Sequence, residues 1–175
     1  MAASSRIFTL PNLLSLARFP LAAAFVVVEN AGARVVLLVV AALSDLLDGW
    51  LARRGGTTKV GALLDPIADK TFVLAAISTL LWSGGLTVRD YFILLSRDFA
   101  IAIGFVVAYF MPGLDPADFK SRWPGKVVTV LQLLALLSLL AWPALFPYLV
   151  PLVAVASAWA IADYTLALHR SRARP

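Results

Sequence analysis

The sequence predicts an all-α fold: a polytopic membrane protein of six transmembrane helices, forming a single membrane-embedded catalytic domain over residues 1–175. Composition is the first reason. Of the 175 residues 61% are hydrophobic and only 14% charged, with a mean hydropathy of +0.88. Soluble domains sit nearer half apolar and a quarter charged, so lipid must solvate most of this chain. Segmentation is the second reason, because the apolar residues fall into six runs, each near the roughly 20 residues that span a bilayer.

The runs lie at about 11–28, 34–52, 60–82, 88–110, 124–142 and 145–167. Polar or turn-forming breaks at 29–33, 53–59, 83–87, 111–123 and around Pro143 separate them. Pro112, Pro116, Pro124 and Pro143 fall at or near run ends, where a missing backbone donor is tolerated. The first run also imitates a signal peptide, with Arg18 inside it and Ala31-Gly32-Ala33 as a small-residue cleavage site. Asn12 and Arg18 argue instead for a retained helix with a functional face. Cysteine is absent, so no disulfide framework or thiolate metal site exists.

Charge placement orients the helices. With a cytoplasmic N-terminus and alternating spans, Arg6, Arg53, Arg54, Lys59, Lys120, Arg122, Lys126, Arg170, Arg172 and Arg174 are cytoplasmic, against Arg34 and Arg89 opposite. This positive-inside bias puts both termini in the cytoplasm. It also excludes a nucleic-acid reading of the +5 net charge, because the basic residues lie between apolar runs rather than on one soluble face.

Chemistry is carried by the ionisable residues inside the runs: Arg18, Asp45, Asp48, Asp65, Asp69, Lys70, Arg97, Asp98 and Asp163. Each costs at least roughly 2.5–3.5 kcal/mol at membrane depth unless it meets a partner or a polar cavity. Asp45 and Asp48 are spaced i, i+3, and Asp65 and Asp69 i, i+4, so each pair shares one helix face. Both pairs flank the same cytoplasmic turn, and an antiparallel helix pair brings all four together. Clustered anions need cations, and oxygen ligands suit Mg²⁺ or Mn²⁺, two ions being the expectation. Gly49 and Gly61 leave backbone open beside them, and Arg53 offers a planar fork to phosphate. Structural Asp–Arg pairing would explain a single pair but not four acids. A cation transporter would explain the acids but not Gly49, Arg53 and Gly61.

The stretch Asp45-Leu-Leu-Asp48-Gly49-Trp-Leu-Ala52-Arg53, seven residues, then Gly61-Ala-Leu-Leu-Asp65-Pro-Ile-Ala-Asp69 resembles the signature of the CDP-alcohol phosphatidyltransferases, D-x2-D-G-x2-A-R…G-x3-D-x3-D. All eight positions are filled; the spacer is one residue shorter than the family's common eight. The resemblance implies the family's six-helix fold. It also implies transfer of a phosphatidyl group from CDP-diacylglycerol to an alcohol with release of CMP. Asp45, Asp48, Asp65 and Asp69 would hold the metals, and Asp69 would also act as general base. Gly49, Ala52, Arg53 and Gly61 would bind the CDP portion. A homodimer in a lipid membrane is implied as well, and no nucleic-acid partner.

Leu10-Pro11-Asn12-Leu-Leu-Ser15-Leu-Ala-Arg18 and Gly125-Lys126-Val-Val-Thr129-Val-Leu-Gln132 resemble stretches of the subgroup that makes phosphatidylglycerol phosphate or cardiolipin. Asn12 and Arg18 would contribute from the N-terminal helix, and Arg97 and Lys126 would anchor a phosphate-bearing acceptor. Lys126 can also be read as a residue snorkelling at a helix end. Bacterial phosphatidylglycerol-phosphate synthases usually carry R-E on the fourth helix with a second Arg two turns on. Here Arg97-Asp98 is followed by Phe105, which resembles the CDP-lipid-dependent cardiolipin synthases. The acceptor therefore leans to phosphatidylglycerol, with glycerol 3-phosphate as the alternative. Asp163 and His169 receive no catalytic role; the Arg170, Arg172 and Arg174 tail suits anionic lipid.

The orientation is testable because the chain lacks cysteine. Gly85→Cys should react with a membrane-impermeant maleimide from the outside of intact cells, and Thr57→Cys only after permeabilisation. Equal labelling of both from one side would contradict the alternating topology.

Overall fold

The computed structural model describes the backbone of residues 10–55, 59–110 and 123–172, and the side chains of 13–47, 67–104 and 123–166. Six α-helices stand where the six apolar runs lie: α1 (Leu10–Val27), α2 (Ala31–Gly55), α3 (Lys59–Trp82), α4 (Val88–Phe110), α5 (Trp123–Ala141) and α6 (Phe146–Arg172). α2 starts before its run, and α2 and α6 both continue past theirs. Hydropathy marks only the apolar part of a helix, whereas backbone hydrogen bonding carries on through charged ends such as Arg53 and Arg170. Pro20 and Pro151 sit inside α1 and α6. Proline is tolerated within membrane helices when neighbours re-satisfy the freed backbone groups.

The chain divides into two compact units, Met1–Leu86 and Thr87–Pro175. In the first, α1 packs against both α2 and α3. Ala22, Phe25, Leu38, Ala41, Ala68, Phe72 and Ala76 are buried there, and the small alanines let the helices approach closely. Phe25 of α1 meets Phe72 of α3 edge to face at 6.1 Å. Asn30 caps α2, its Oδ1 accepting from the Ala33 amide at 2.9 Å. α3 ends in a Schellman motif. The Gly84 amide donates to the Leu81 carbonyl at 3.1 Å and the Gly85 amide to Leu80 at 3.0 Å. Gly84 supplies the left-handed backbone that this motif requires, with φ +73°.

In the second unit, α4 and α5 both pack on α6. Thr87 caps the start of α4: its hydroxyl accepts from the Asp90 amide at 3.2 Å and donates to Asp90 Oδ2 at 2.7 Å. Val128 of α5 packs with Ala156, Ala160 and Tyr164 of α6 in a buried cluster. A short 3-10 turn (Pro143–Leu145) joins the two helices, at the break expected around Pro143.

Some polar side chains are buried with the apolar core, and many large apolar ones face outward. Among the described residues Ser15, Arg18, Arg34, Arg97, Gln132, Ser138 and Ser157 are buried, whereas Val36, Leu46, Ile103, Val155 and Leu166 face outward. Hydrocarbon as solvent favours that arrangement, because buried polar groups then find partners and outward apolar groups meet lipid. Among the described residues, Trp123–Ala141 and Pro143–Leu166 are long and apolar enough to cross a membrane, and Leu13–Val27 is a shorter apolar helix. α2, α3 and α4 carry the charges Arg34, Asp45, Asp69, Lys70, Arg97 and Asp98, which lower their hydropathy.

Candidate functional site

The four motif carboxylates lie on α2 and α3. Asp48 precedes the last residue of α2 by seven positions, and Asp65 follows the first residue of α3 by six. At a rise of about 1.5 Å per residue, both stand about 9–11 Å from the connection between the helices. Asp45 and Asp69 are described at side-chain level. Arg18 of α1 is almost fully buried, 1% exposed, and its Nη2 lies 3.0 Å from Asp45 Oδ1. The Asp45 side chain keeps 51% exposure, so α1 holds one oxygen while the group stays open on its other side. Asp69 is partly exposed and lies 4.0 Å from Lys70 Nζ. The side chains of Asn12, Asp48, Gly49, Ala52, Arg53, Gly61, Asp65, Phe105 and His169 lie outside the described residues. Among the described residues no group of three or more potential ligands forms a metal cluster.

A second polar cluster joins α4, α5 and α6. Arg97 is buried, and its Nη1 lies 3.1 Å from Asp98 Oδ1. Its Nη2 donates to the Tyr164 hydroxyl at 3.4 Å. Gln132 Nε2 donates to Asp98 Oδ2 at 3.2 Å and to the Leu94 carbonyl at 2.9 Å. Asp98 is thus shared between the guanidinium and the amide, and the amide also ties α5 to the α4 backbone. Arg97 Nε is buried without a hydrogen-bond partner among the described residues. Gly125 makes room for this cluster. A Cβ there would stand 2.5 Å from Arg97 Nη2 and 2.8 Å from the Tyr164 hydroxyl. Lys126, the next residue, is exposed, with Nζ 6.0 Å from the centre of the Trp123 ring.

A model of the CDP-alcohol phosphatidyltransferase family matches residues 8–164. The chain belongs to that family. It is 37% identical over 137 residues to CDP-diacylglycerol–glycerol-3-phosphate 3-phosphatidyltransferase of Aquifex aeolicus, covering 73% of each chain. To the protein of the same name from Shigella flexneri it is 32% identical over 173 residues, 90% of this chain and 93% of the relative. To the cardiolipin synthase (CMP-forming) of Rattus norvegicus it is 32% identical over 154 residues, 78% of this chain. The chain spans 51% of that rat protein's length.

This CDP-alcohol phosphatidyltransferase is an enzyme of phospholipid biosynthesis, and its family explains the motif that the cation-transporter reading left unexplained. Of its expected site residues, the structure joins Arg18 to Asp45 and places Arg97 in the α4–α6 cluster. Lys126 sits outside that cluster's hydrogen bonds. Tyr164 was missed by sequence reasoning, since a tyrosine within an apolar helix has no pattern that marks it. Gly125 stood in a recognised stretch, but its reason, the space taken by Arg97 and Tyr164, is visible only in three dimensions.

Gly125→Ala should push the Arg97 guanidinium aside and lower turnover by about 10²-fold, the scale of a 1 Å misplacement. Adding Tyr164→Phe should restore part of the loss by vacating the hydroxyl's space. Wild-type rates of CMP release in Gly125→Ala, measured on folded protein, would contradict this account.

Proposed function

We propose that this enzyme transfers the phosphatidyl group of CDP-diacylglycerol to phosphatidylglycerol, forming cardiolipin and CMP. The observation that carries the acceptor is the charge sharing at Arg97. Its guanidinium already lies 3.1 Å from the Asp98 carboxylate, leaving little net positive charge for an acceptor. A phosphodiester, with one negative charge, suits such a site better than the dianionic monoester of glycerol 3-phosphate. Glycerol 3-phosphate is the second reading, favoured by the match along 93% of the Shigella flexneri glycerol-3-phosphate phosphatidyltransferase.

The donor set fits a hard divalent ion. Asp45 is anchored through one oxygen yet half exposed, and Asp69 is partly exposed, so both leave carboxylate surface within reach of a hard cation. Asp45, Asp48, Asp65 and Asp69 would hold two Mg²⁺ or Mn²⁺ ions. When bound, these neutralise the diphosphate of the lipid donor. Gly49, Ala52, Arg53 and Gly61 receive the CDP portion, with the Arg53 fork on phosphate. Asp69 takes the proton of the acceptor hydroxyl as that oxygen bonds to the phosphorus bearing diacylglycerol. The bond from that phosphorus to the bridging oxygen breaks, and CMP leaves with the electron pair. Arg97 and Lys126 orient the acceptor phosphate, while Asn12 and Arg18 support the acids from α1. Six membrane spans, with both termini and the acids at the cytoplasmic face, agree with the charge asymmetry and with the many large apolar side chains that face outward.

The test is product analysis by the purified enzyme in mixed micelles, with CDP-diacylglycerol and each acceptor in turn. Cardiolipin and CMP should form from phosphatidylglycerol, stop on chelation with EDTA, and fall about 10²–10⁴-fold in Asp69→Asn. Phosphatidylglycerol phosphate made from glycerol 3-phosphate, without cardiolipin, would establish the second reading. Turnover in EDTA would overturn the mechanism itself.

A further inference from the structure

The first unit carries a second polar site, away from the motif acids. A groove of about 840 Å³ opens where α1 ends, α2 begins and α3 ends, lined by Val26, Glu29, Arg34, Thr79, Trp82 and Ser83 among others. That volume is ligand-sized. Arg34 lies 11 residues before Asp45 on α2, and Thr79 lies 10 after Asp69 on α3. On either helix the groove is therefore about 15 Å from the motif acids.

Arg34 is built into this groove. It is buried, with 7% of its surface exposed. Its Nε donates to the Val28 carbonyl at 2.7 Å, and the guanidinium carbon lies 5.4 Å from the centre of the Phe25 ring. One edge and one face of the guanidinium are thus fixed by α1. Among the described residues no carboxylate lies within ion-pairing distance of it, although Glu29 lines the same groove. A buried cation without a counter-charge is costly, and a planar guanidinium held in this way is suited to phosphate.

The opposite wall offers the reverse chemistry. Thr79 donates its hydroxyl proton to the Ala75 carbonyl at 2.7 Å, and Ser83 donates to the Leu80 carbonyl at 3.2 Å. Their oxygens therefore present acceptors to the groove from α3, and the Glu29 carboxylate adds an anion from the connection between α1 and α2. A guanidinium donor and these acceptors in one groove match a zwitterion. Trp82, 94% exposed at the end of α3, marks the level where indoles meet lipid head groups.

We propose that this groove binds the head group of a zwitterionic phospholipid carrying a primary ammonium. Its phosphodiester lies on Arg34, and its ammonium donates to Glu29, Thr79 and Ser83. The inference uses the membrane spans proposed above but not the transfer chemistry, so either can fail alone.

The test is native mass spectrometry of the delipidated full chain with dioleoylphosphatidylethanolamine or dioleoylphosphatidylcholine, whose quaternary ammonium has no N–H to donate. Phosphatidylethanolamine should be retained at least about tenfold better, the worth of one charge-assisted hydrogen bond. Arg34→Gln should lose both lipids. Because Arg34 also holds the end of α1, Glu29→Gln is the second variant; it should keep binding but narrow the preference, since the charge-assisted bond is lost while Thr79 and Ser83 still accept. Equal retention by the wild type, or undiminished preference in Glu29→Gln, would overturn the proposal. Soluble glycerophosphoethanolamine at millimolar concentration should not displace the lipid. Displacement would overturn the lipid as the ligand's source and leave a soluble phosphodiester in its place.

Discussion

A guanidinium almost cut off from solvent must be held by the helices around it, and Arg18 is held by Asp45. The pair spans 3.0 Å between α1 and α2, with the arginine 1% exposed and the aspartate half exposed. That asymmetry suits the proposed metal site: the buried partner fixes the geometry, and the open partner keeps an oxygen exposed. Without the arginine, Asp45 would lose the ion pair that sets its orientation. Positioning of this kind by a neighbouring charged group is how ligand carboxylates are commonly tuned.

The same device recurs in the second unit with a different balance. Arg97 is buried against Asp98, and Gln132 and Tyr164 complete its surroundings from α5 and α6. There the arginine is buried and the aspartate nearly so; the pair is closer to neutral, and the cluster acts as a shaped polar surface. Gly125 is part of that shape, because any side chain would occupy the volume of the guanidinium. In an apolar bundle these few polar contacts carry specificity that packing alone does not supply, since lipid competes equally for apolar faces.

Much of this was legible in the sequence. Six apolar runs became six helices because hydropathy and helix length report the same solvent constraint. The resemblance at 45–69 led to the family because carboxylates, glycines and an arginine at set spacings are improbable for any other reason. Helix ends were less legible: α6 runs on to Arg172, since hydrogen bonding does not stop where apolarity does. The partnerships were least legible. Arg18 was marked as a contributor, but its bond to Asp45 joins residues 27 positions apart. Tyr164 lies 67 positions from Arg97, beyond any local periodicity. The Arg34 groove left only a lone charge in the pattern, read as topology.

Arg18 is proposed to orient Asp45 for cation binding, and the rest of the metal site depends on it. Mn²⁺ titration of the full chain, followed by electron paramagnetic resonance in wild type, Arg18→Lys and Arg18→Gln, tests this directly. Orientation predicts affinity weakened about 10–100-fold in Arg18→Gln, with Arg18→Lys intermediate. If Arg18 served only as a repelling charge near the site, its removal would leave Mn²⁺ affinity unchanged or raise it. That result would contradict the account.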